Sequence, residues 1–492
     1  MTAAARRIAV VGAGMAAARL AQQVLAQAPP GTLELTLYGH EPHAPYNRAL
    51  LAGVLDGRYP PEALTLPTGG ATVRTGTEVT GVDTTAHTLR TASGETLPYD
   101  TLVLATGANP VLPPIRNLHT APLGPAPAPH GRAAAPLGRR PSPPPSPWAA
   151  GPPPRGGTGG QGGGPSRSRP TGTPPAQPPT PADAHEGPAH PRTAAPHADL
   201  KQGVHPFRTL SDCTRLAEAT ATLRAKLPTT PRAIVIGGGI LGVSATRALT
   251  ALGIPTELIH QAPQLMERHL DEQAGTTVRR ALESMGAAVY TDNRARALLG
   301  DEAVTGVELA NGHALTCDLV VLACGVRPRT GLAGAAGIEV RRGIVIDDTL
   351  ATSAPDVYAI GDCTEHRGEI HGVTGPAWAQ ADTLAARLSG KDPNATYTGA
   401  HSTARLTAGA LEIAAFGEVT DAAGDALRLA DGTRGAYGSY KKLVMRGDRL
   451  VGAILVGDLA AIGELTRTYE RGEPLPPRPL DLLAPLPEGA AL

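Results

Sequence analysis

The sequence has little cysteine, no net charge and no long apolar run, and each shortage removes a class of function. Four cysteines stand in 492 residues, at 213, 317, 324 and 363, and no two form a CxxC pair or a cluster with zinc-ligand spacing. That excludes a dithiol active site, an iron–sulfur cluster and a structural zinc built from this chain's own thiols, and leaves buried or incidental free thiols as the expectation. Lys plus Arg and Asp plus Glu number 44 each, for a formal net charge of zero. Neither nucleic acid nor an anionic membrane surface is therefore expected as a partner. No apolar stretch reaches the length of a bilayer-spanning helix. The N-terminal "MTAAARRIAVV" runs straight into a strand, without the apolar core and cleavage site of a secretory signal. A cytoplasmic protein with two or three cores is the expectation for this length.

What the chain has in excess is proline and glycine, concentrated in one place. Residues 119–199 are dominated by Pro, Gly, Ala and Arg, as in "RRPSPPPSPWAAGPPPRGGTGGQGGG", and hold about half of the chain's 49 prolines. Such a tract cannot bury a core, so a disordered or polyproline-II-like insertion is expected. Binding of a proline-recognising partner, or of nucleic acid through its arginines, is the sharper alternative, but composition alone accounts for the tract.

With the tract set aside, an internal repeat emerges. A strand, "GAGMAA", a helix and a strand lead to "LRTASGETLPYDTLVLATGANP"; later a strand, "GGGILG", a helix and a strand lead to "VELANGHALTCDLVVLACGVRP". Gly12 and Gly237 are 225 positions apart, Gly107 and Gly325 218. Similar offsets at both ends mark two copies of one unit, each with the alternation of a parallel, doubly wound sheet. In such sheets ligands sit beyond the carboxyl ends of the strands, so two copies suggest two dinucleotides. From about Thr396 the pattern changes to short alternating strands and a closing helix near "LAAIGELTRTYERG", which reads as a smaller antiparallel domain.

The first turn offers Gly12, Gly14 and Ala17 in the three fingerprint places. Glycine permits the tight turn and close backbone approach to a pyrophosphate lying on the helix N-terminus. A tight strand-to-helix turn needs glycine for packing too, so the motif alone is weak. After the next strand, "LELTLYGHEP" supplies Glu41, either a ribose acceptor or a solvated loop acid. The second turn has all three glycines, Gly237, Gly239 and Gly242. Its next strand ends at His260 and Gln261, where an acid would favour NAD and an arginine NADP; His260 reads equally as a surface residue or a ribose contact.

"ATGANP" at 105–110, "YAIGDC" at 358–363 and the two glycine turns together resemble the pyridine-nucleotide-dependent branch of the two-dinucleotide flavoprotein disulfide-reductase superfamily. Through "PYNRALLAGVLDG", "QLMERHLD" and "YKKLVMRGDRLVGAILVGD" the chain is similar to the flavin module of the NADH-dependent nitrite reductase large subunit, and to rubredoxin and ferredoxin reductases. The likeness covers everything outside the insertion and the last twenty or so residues. It implies FAD in the first unit and NADH or NADPH as co-substrate in the second. Gly12, Gly14 and Ala17 would then hold the FAD pyrophosphate, Glu41 the adenosine ribose, and Asn47 with Arg48 the phosphates and flavin. A guanidinium suits phosphate, although a surface salt bridge is the plain alternative for Arg48. Ala105, Thr106, Gly107 and Gly325 belong to the sites through the same motifs. Asp362 would meet the ribityl chain, or else cap the helix that follows. Trp378 would pack near the flavin or fill core.

Departures from the resembled pattern matter as well. An acidic residue near the second turn and a lysine near the flavin have given way to Ser244 and Gly53, so a lysine–carboxylate pair beside the flavin is not expected. "YNRALL" lacks the lone redox cysteine of coenzyme A disulfide reductases and water-forming NADH oxidases. The resembled subunit continues into siroheme and iron–sulfur domains; here those groups are expected on another chain. No metal site and no catalytic side chain are expected, because the flavin carries the chemistry. Lys441, Lys442, Arg446 and Arg449 either steer an acidic redox partner or form a solvated strand face.

The expected fold is therefore α/β, with two doubly wound parallel-sheet, Rossmann-like dinucleotide-binding domains, a small C-terminal α+β domain and a disordered Pro/Gly-rich insertion. The boundaries are 1–118 and 331–395 for the FAD domain, 119–199 for the insertion, 200–330 for the NAD(P)H domain, 396–475 for the small domain and 476–492 for a tail. The expected function is an FAD-dependent NAD(P)H oxidoreductase passing electrons to a separate acceptor protein, with a homodimer left open. A non-catalytic FAD-binding or sensing flavoprotein with a decayed nicotinamide site is the alternative.

Overall fold

The computed structural model describes residues 5–120, 199–400, 403–409, 411–433 and 436–483. The central part of the insertion, 121–198, lies outside the described residues. Its two ends meet. His119 bridges to Leu200, and the Thr120 amide donates to the Asp199 carbonyl at 2.9 Å, so the core leaves and resumes at one point.

The repeat is visible strand for strand. In the first half Arg6–Val11 is flanked in parallel by Leu33–Tyr38 and Thr101–Leu104, with Thr72–Arg74 and Val357–Ala359 at the edges. In the second, Ala233–Ile236 is flanked by Thr256–Ile259 and Leu319–Leu322, with Ala288–Tyr290 and Val204–Pro206 outside. The strands "AIVI", "TLVL" and "LVVL" are buried at every residue, as expected where helices cover both faces of a parallel sheet. Each half also carries a three-stranded antiparallel meander, at 79–98 and 295–316, just before its "TLVL" or "LVVL" strand.

The chain crosses between the halves twice. Ala108–Pro110 and Val326–Pro328 pair antiparallel, directly after Gly107 and Gly325, which take positive φ of 70° and 95°. Returning chain adds Val357–Ala359 to the first sheet and packs the helix Thr374–Leu388 against the helix Met15–Gln27, with Arg19 on Asp382 at 2.7 Å.

The small C-terminal sheet is antiparallel, in the order 403–408, 411–417, 449–456, 439–446, 425–431. Both of its faces are covered. Leu406, Ile413, Tyr440 and Ile454 join one core with Val243, Leu258 and Val278 of the second half; Phe416, Leu443 and Leu455 join another with Leu465 of the closing helix Ile462–Arg471 and with Leu482 and Leu483. What reads as a tail from 476 is thus packed as far as Leu483; 484–492 lie outside the described residues.

Two-sided burial corrects the reading of the lysines. Lys441 and Lys442, adjacent in a strand, point to opposite faces, and both are buried, at 3% and 1% exposure. Lys441 Nζ meets Asp458 at 2.7 Å and donates to the Leu483 carbonyl at 2.8 Å. Lys442 Nζ meets Asp421 at 2.7 Å and Asp271 at 3.1 Å. Neither can steer a partner or form a solvated face. Of the expected basic group only Arg446 and Arg449 are exposed, and they pair with Glu418 and Asp448.

Candidate dinucleotide sites

The fingerprint glycines have different reasons to be glycine. Gly12 and Gly237 adopt φ of 118° and 110°, and a Cβ on either would collide with the carbonyl of Ala105 or Ala323, the matching residues of the two halves. A Cβ on Gly242 would strike the Gly237 carbonyl, whereas Ala17, fully buried, fills the equivalent place in the first half. Packing explains these positions. It does not explain Gly14 and Gly239, whose φ of −93° and −76° suit any residue and whose added Cβ would meet nothing within 4 Å. Both are N-caps without a side-chain cap, so no side chain satisfies the first amides of either helix from that position. An anion resting there would use that space, which is the fit a dinucleotide pyrophosphate requires.

Beside the first turn the structure gathers three arginines and two acids. Glu41, at 13% side-chain exposure, is ion-paired with Arg48 and accepts from the Tyr46 hydroxyl at 2.7 Å. Glu41 is therefore no solvated loop acid and Arg48 no surface pair; each is half of one buried bond. Burial pushes the Glu41 carboxyl up, but the Arg48 guanidinium and the Tyr46 hydroxyl outweigh it and hold the group below its ordinary range. Asn47 caps the turn that carries Arg48, accepting from the Ala49 amide at 3.0 Å. Arg48 also donates to the Arg208 carbonyl at 3.2 Å, and the Arg208 guanidinium donates to Asp362 at 2.6 Å. Arg208 Nε is buried with no partner among the described residues. An unpartnered cationic donor next to a carboxylate suits a polar, anionic ligand.

Asp362 is followed by the strand Thr364–His366, so the helix-capping alternative fails. The third arginine, Arg329, bonds to Asn109 and lies 3.2 Å from His40 Nε2; its carbonyl accepts from Thr106 Oγ1 at 2.7 Å and its amide donates to Gly107. Burial and the Arg329 charge hold the His40 imidazole below its ordinary value. Sequence reasoning missed Arg208 and Arg329. The signal was there in "FRTL" after the insertion and in the second proline motif "GVRPR".

Trp378 fills no core. It is 38% exposed, with the Arg19 guanidinium 5.9 Å from its ring centroid. A lysine in place of Gly53 would meet the Tyr59 ring, which packs on that glycine. Asp56 at the end of the same helix is instead paired with Arg247 of the second half, both almost fully buried. The four cysteines are free; burial pushes Cys213 and Cys317 up to about 12 and Cys324 up to about 11. None is poised as a redox thiol.

In the second half His260 is neither a surface residue nor free. It is 6% exposed, its Nδ1 accepts from the Gly238 amide at 3.0 Å, and its Nε2 lies 2.9 Å from Glu267. Ser244 is buried in the helix Ile240–Ala251.

Two glycine turns with open helix N-termini, one on each of two repeated parallel sheets, define the class of two-dinucleotide oxidoreductases. A family model described as pyridine nucleotide-disulphide oxidoreductase matches residues 6–126 and 171–381, and one described as the rubredoxin NAD+ reductase C-terminal domain matches 403–473. The chain belongs to the pyridine nucleotide-disulphide oxidoreductase family, whose members hold FAD and use NADH or NADPH. It is 30% identical to an NAD(P)H nitrite reductase of Bacillus subtilis (strain 168) over 460 residues, 92% of this chain and 46% of that protein. It is 28% identical to an assimilatory nitrate reductase electron transfer subunit of the same organism, over 92% of this chain and 48% of that one. The chain thus spans about half the length of these relatives. Among solved structures, a ferredoxin reductase from Rhodopseudomonas palustris matches with a TM-score of 0.67 at 21% identity, covering 95% of this chain and 96% of that one, which shows the shared fold. Among the described residues no helix is long and apolar enough to cross a membrane.

Proposed function

We propose that this enzyme passes reducing equivalents from NADH or NADPH, bound on the second half, through FAD on the first half to a separate acceptor protein of the nitrite reductase or rubredoxin and ferredoxin type. The observation that carries the placement of FAD is the cluster of Arg48, Arg208 and Arg329 beside the open turn at Gly14. Three guanidiniums suit a pyrophosphate-bearing cofactor held throughout turnover. Beside the second turn the described residues place His260 and Glu267 instead, which suits a nucleotide that must come and go.

When bound, FAD would supply the redox chemistry, that of a two-electron acceptor able to release electrons singly. The chain's residues bind and orient. Gly12, Gly14 and Ala17 would hold the pyrophosphate, Glu41 the adenosine ribose, and Asn47 with Arg48 would lie along the phosphates and flavin. Arg208 holds Asp362, which would meet the ribityl chain, Ala105, Thr106 and Gly107 set the first crossover, and Gly325 the second. Gly237, Gly239 and Gly242 carry the nicotinamide nucleotide, with His260 beneath the turn. Trp378 stands exposed on the helix behind "AIGDC". The likeness to nitrite reductases, over about half their length, supports the choice of acceptor class. Against a sensing flavoprotein with a decayed second site, the weight falls on Gly239 alone, since packing accounts for Gly237 and Gly242.

The test is the anaerobic visible spectrum of the purified protein, before and after NADH and, separately, NADPH. Flavin bands that bleach with a nucleotide are expected. Bands that persist with both would leave FAD binding and remove the oxidoreductase.

A further inference from the structure

We infer that Glu267, positioned by His260, reads the adenosine ribose of the nicotinamide nucleotide and selects NADH over NADPH. The inference rests on the second half being the nicotinamide site. In sheets of this type the residue at the end of the second strand decides the preference: a carboxylate accepts from the ribose 2′-hydroxyl, and an arginine accommodates a 2′-phosphate. Here that residue is His260, directly after Thr256–Ile259.

Its ring has both nitrogens committed. Nδ1 accepts from the Gly238 amide, so Nε2 carries the proton and donates to Glu267 at 2.9 Å. The segment is fastened from the other side as well, because the Met266 amide donates to the Gly238 carbonyl at 2.9 Å. Gly238, between the pyrophosphate-turn glycines Gly237 and Gly239, is thus bonded through both its amide and its carbonyl to the stretch that carries Glu267. Met266 takes a φ of 55°, a conformation that β-branched residues avoid, and so turns the chain back toward the strand end. The result is a carboxylate beside the strand end and the glycine turn, reached seven positions further along the sequence, with the imidazole as its support.

Glu267 keeps 36% side-chain exposure, so it faces solvent on the side away from the ring. Among the described residues its one ion-pair partner is His260. The neighbouring Arg268 is exposed and is the competing candidate, a cation able to receive a 2′-phosphate. Geometry favours Glu267, which is tied to the turn through His260, whereas Arg268 has no bond to the turn.

The test is calorimetric titration of the FAD-loaded protein with NAD+ and NADP+, a binding readout independent of turnover. The wild type should bind NAD+ at least about tenfold more tightly than NADP+. Glu267→Gln should narrow that ratio to within about threefold, mainly by tightening NADP+, while Arg268→Ala leaves it in place. His260→Ala, which releases both Gly238 and Glu267, should weaken NAD+ binding and narrow the ratio together. A wild type that binds NADP+ as well as NAD+, or a ratio unmoved in Glu267→Gln, overturns the inference alone. If neither nucleotide binds the wild type, the functional reading falls and takes the inference with it.

Discussion

In the first half the acid beside the glycine turn, Glu41, is closed in between Arg48 and Tyr46, whereas in the second half Glu267 stands 36% exposed on a histidine. The frames around them match down to the carbonyls of Ala105 and Ala323 that crowd Gly12 and Gly237. A repeated backbone, then, repeats the glycine turn, and the side chains beside it set the two turns apart. Glu41 and Asp362 are compensated by arginines, of which Arg208 follows a strand of the second sheet, whereas Glu267 has a histidine for its partner.

The comparison can be broken most severely at its shared point. Gly12→Val and Gly237→Val each force a β-branched residue to positive φ against a backbone carbonyl, and each should cost more than about 3 kcal/mol in chemical denaturation. They should differ in consequence. The first should yield protein without flavin, the second, where it folds, flavoprotein that no nicotinamide nucleotide bleaches.

A comparable loss is expected where the second half meets the small sheet. Lys442→Ala takes the buried ammonium from Asp271, leaving that carboxylate the Tyr440 hydroxyl and the Ala274 amide, and should destabilise by about 3 kcal/mol, read from the shift in urea midpoint. Combining Lys442→Met with Asp271→Asn should recover most of that, because an uncompensated buried charge is the costly element.

Smaller, and expected at the FAD site alone, is Arg208→Ala, at a residue presented by the second sheet just after Val204–Pro206. It leaves Asp362 without its 2.6 Å partner and removes a buried cationic donor, so FAD affinity should fall roughly tenfold in a fluorescence titration. Nicotinamide nucleotide binding should not change. Equal loss on both halves would show that Arg208 acts through general stability.

The smallest effect is expected at the thiols. With Cys324 pushed up to about 11 and Cys213 and Cys317 up to about 12, thiolate is scarce at pH 8. Alkylation there should be slow in the folded protein and fast in urea, and Cys324→Ser should keep nucleotide-dependent flavin reduction. Rapid loss of activity on alkylation would contradict a purely packed role.

The repeat, the two turns and the change to an antiparallel sheet were legible because they rest on local periodicity and on glycine's special backbone. Arg208 was not, because its importance depends on Asp362, 154 positions away. The buried lysines were misread for a related reason. "YKKL" in a strand implies one residue inward and one outward, and only the packed structure shows that this sheet has no outward face. His260 is visible from its place at the end of a strand, but its partner Glu267 lies in "QLMERHLD", a stretch with no regular period to reveal where the chain folds back.

Asp271 does two jobs with its two oxygens. Oδ1 accepts from the Ala274 amide to start the helix Glu272–Ser284 of the second half; Oδ2 takes the Tyr440 hydroxyl at 2.8 Å and Lys442 of the small sheet. Sliding these two bodies apart would unseat a helix start and bare a buried ammonium in the same movement. They should therefore travel together as one rigid arm. Its hold on the first half then falls to the paired crossover strands Ala108–Pro110 and Val326–Pro328, together with the buried Asp56–Arg247 pair and the Tyr46, Leu51 and Leu55 side chains that share its core.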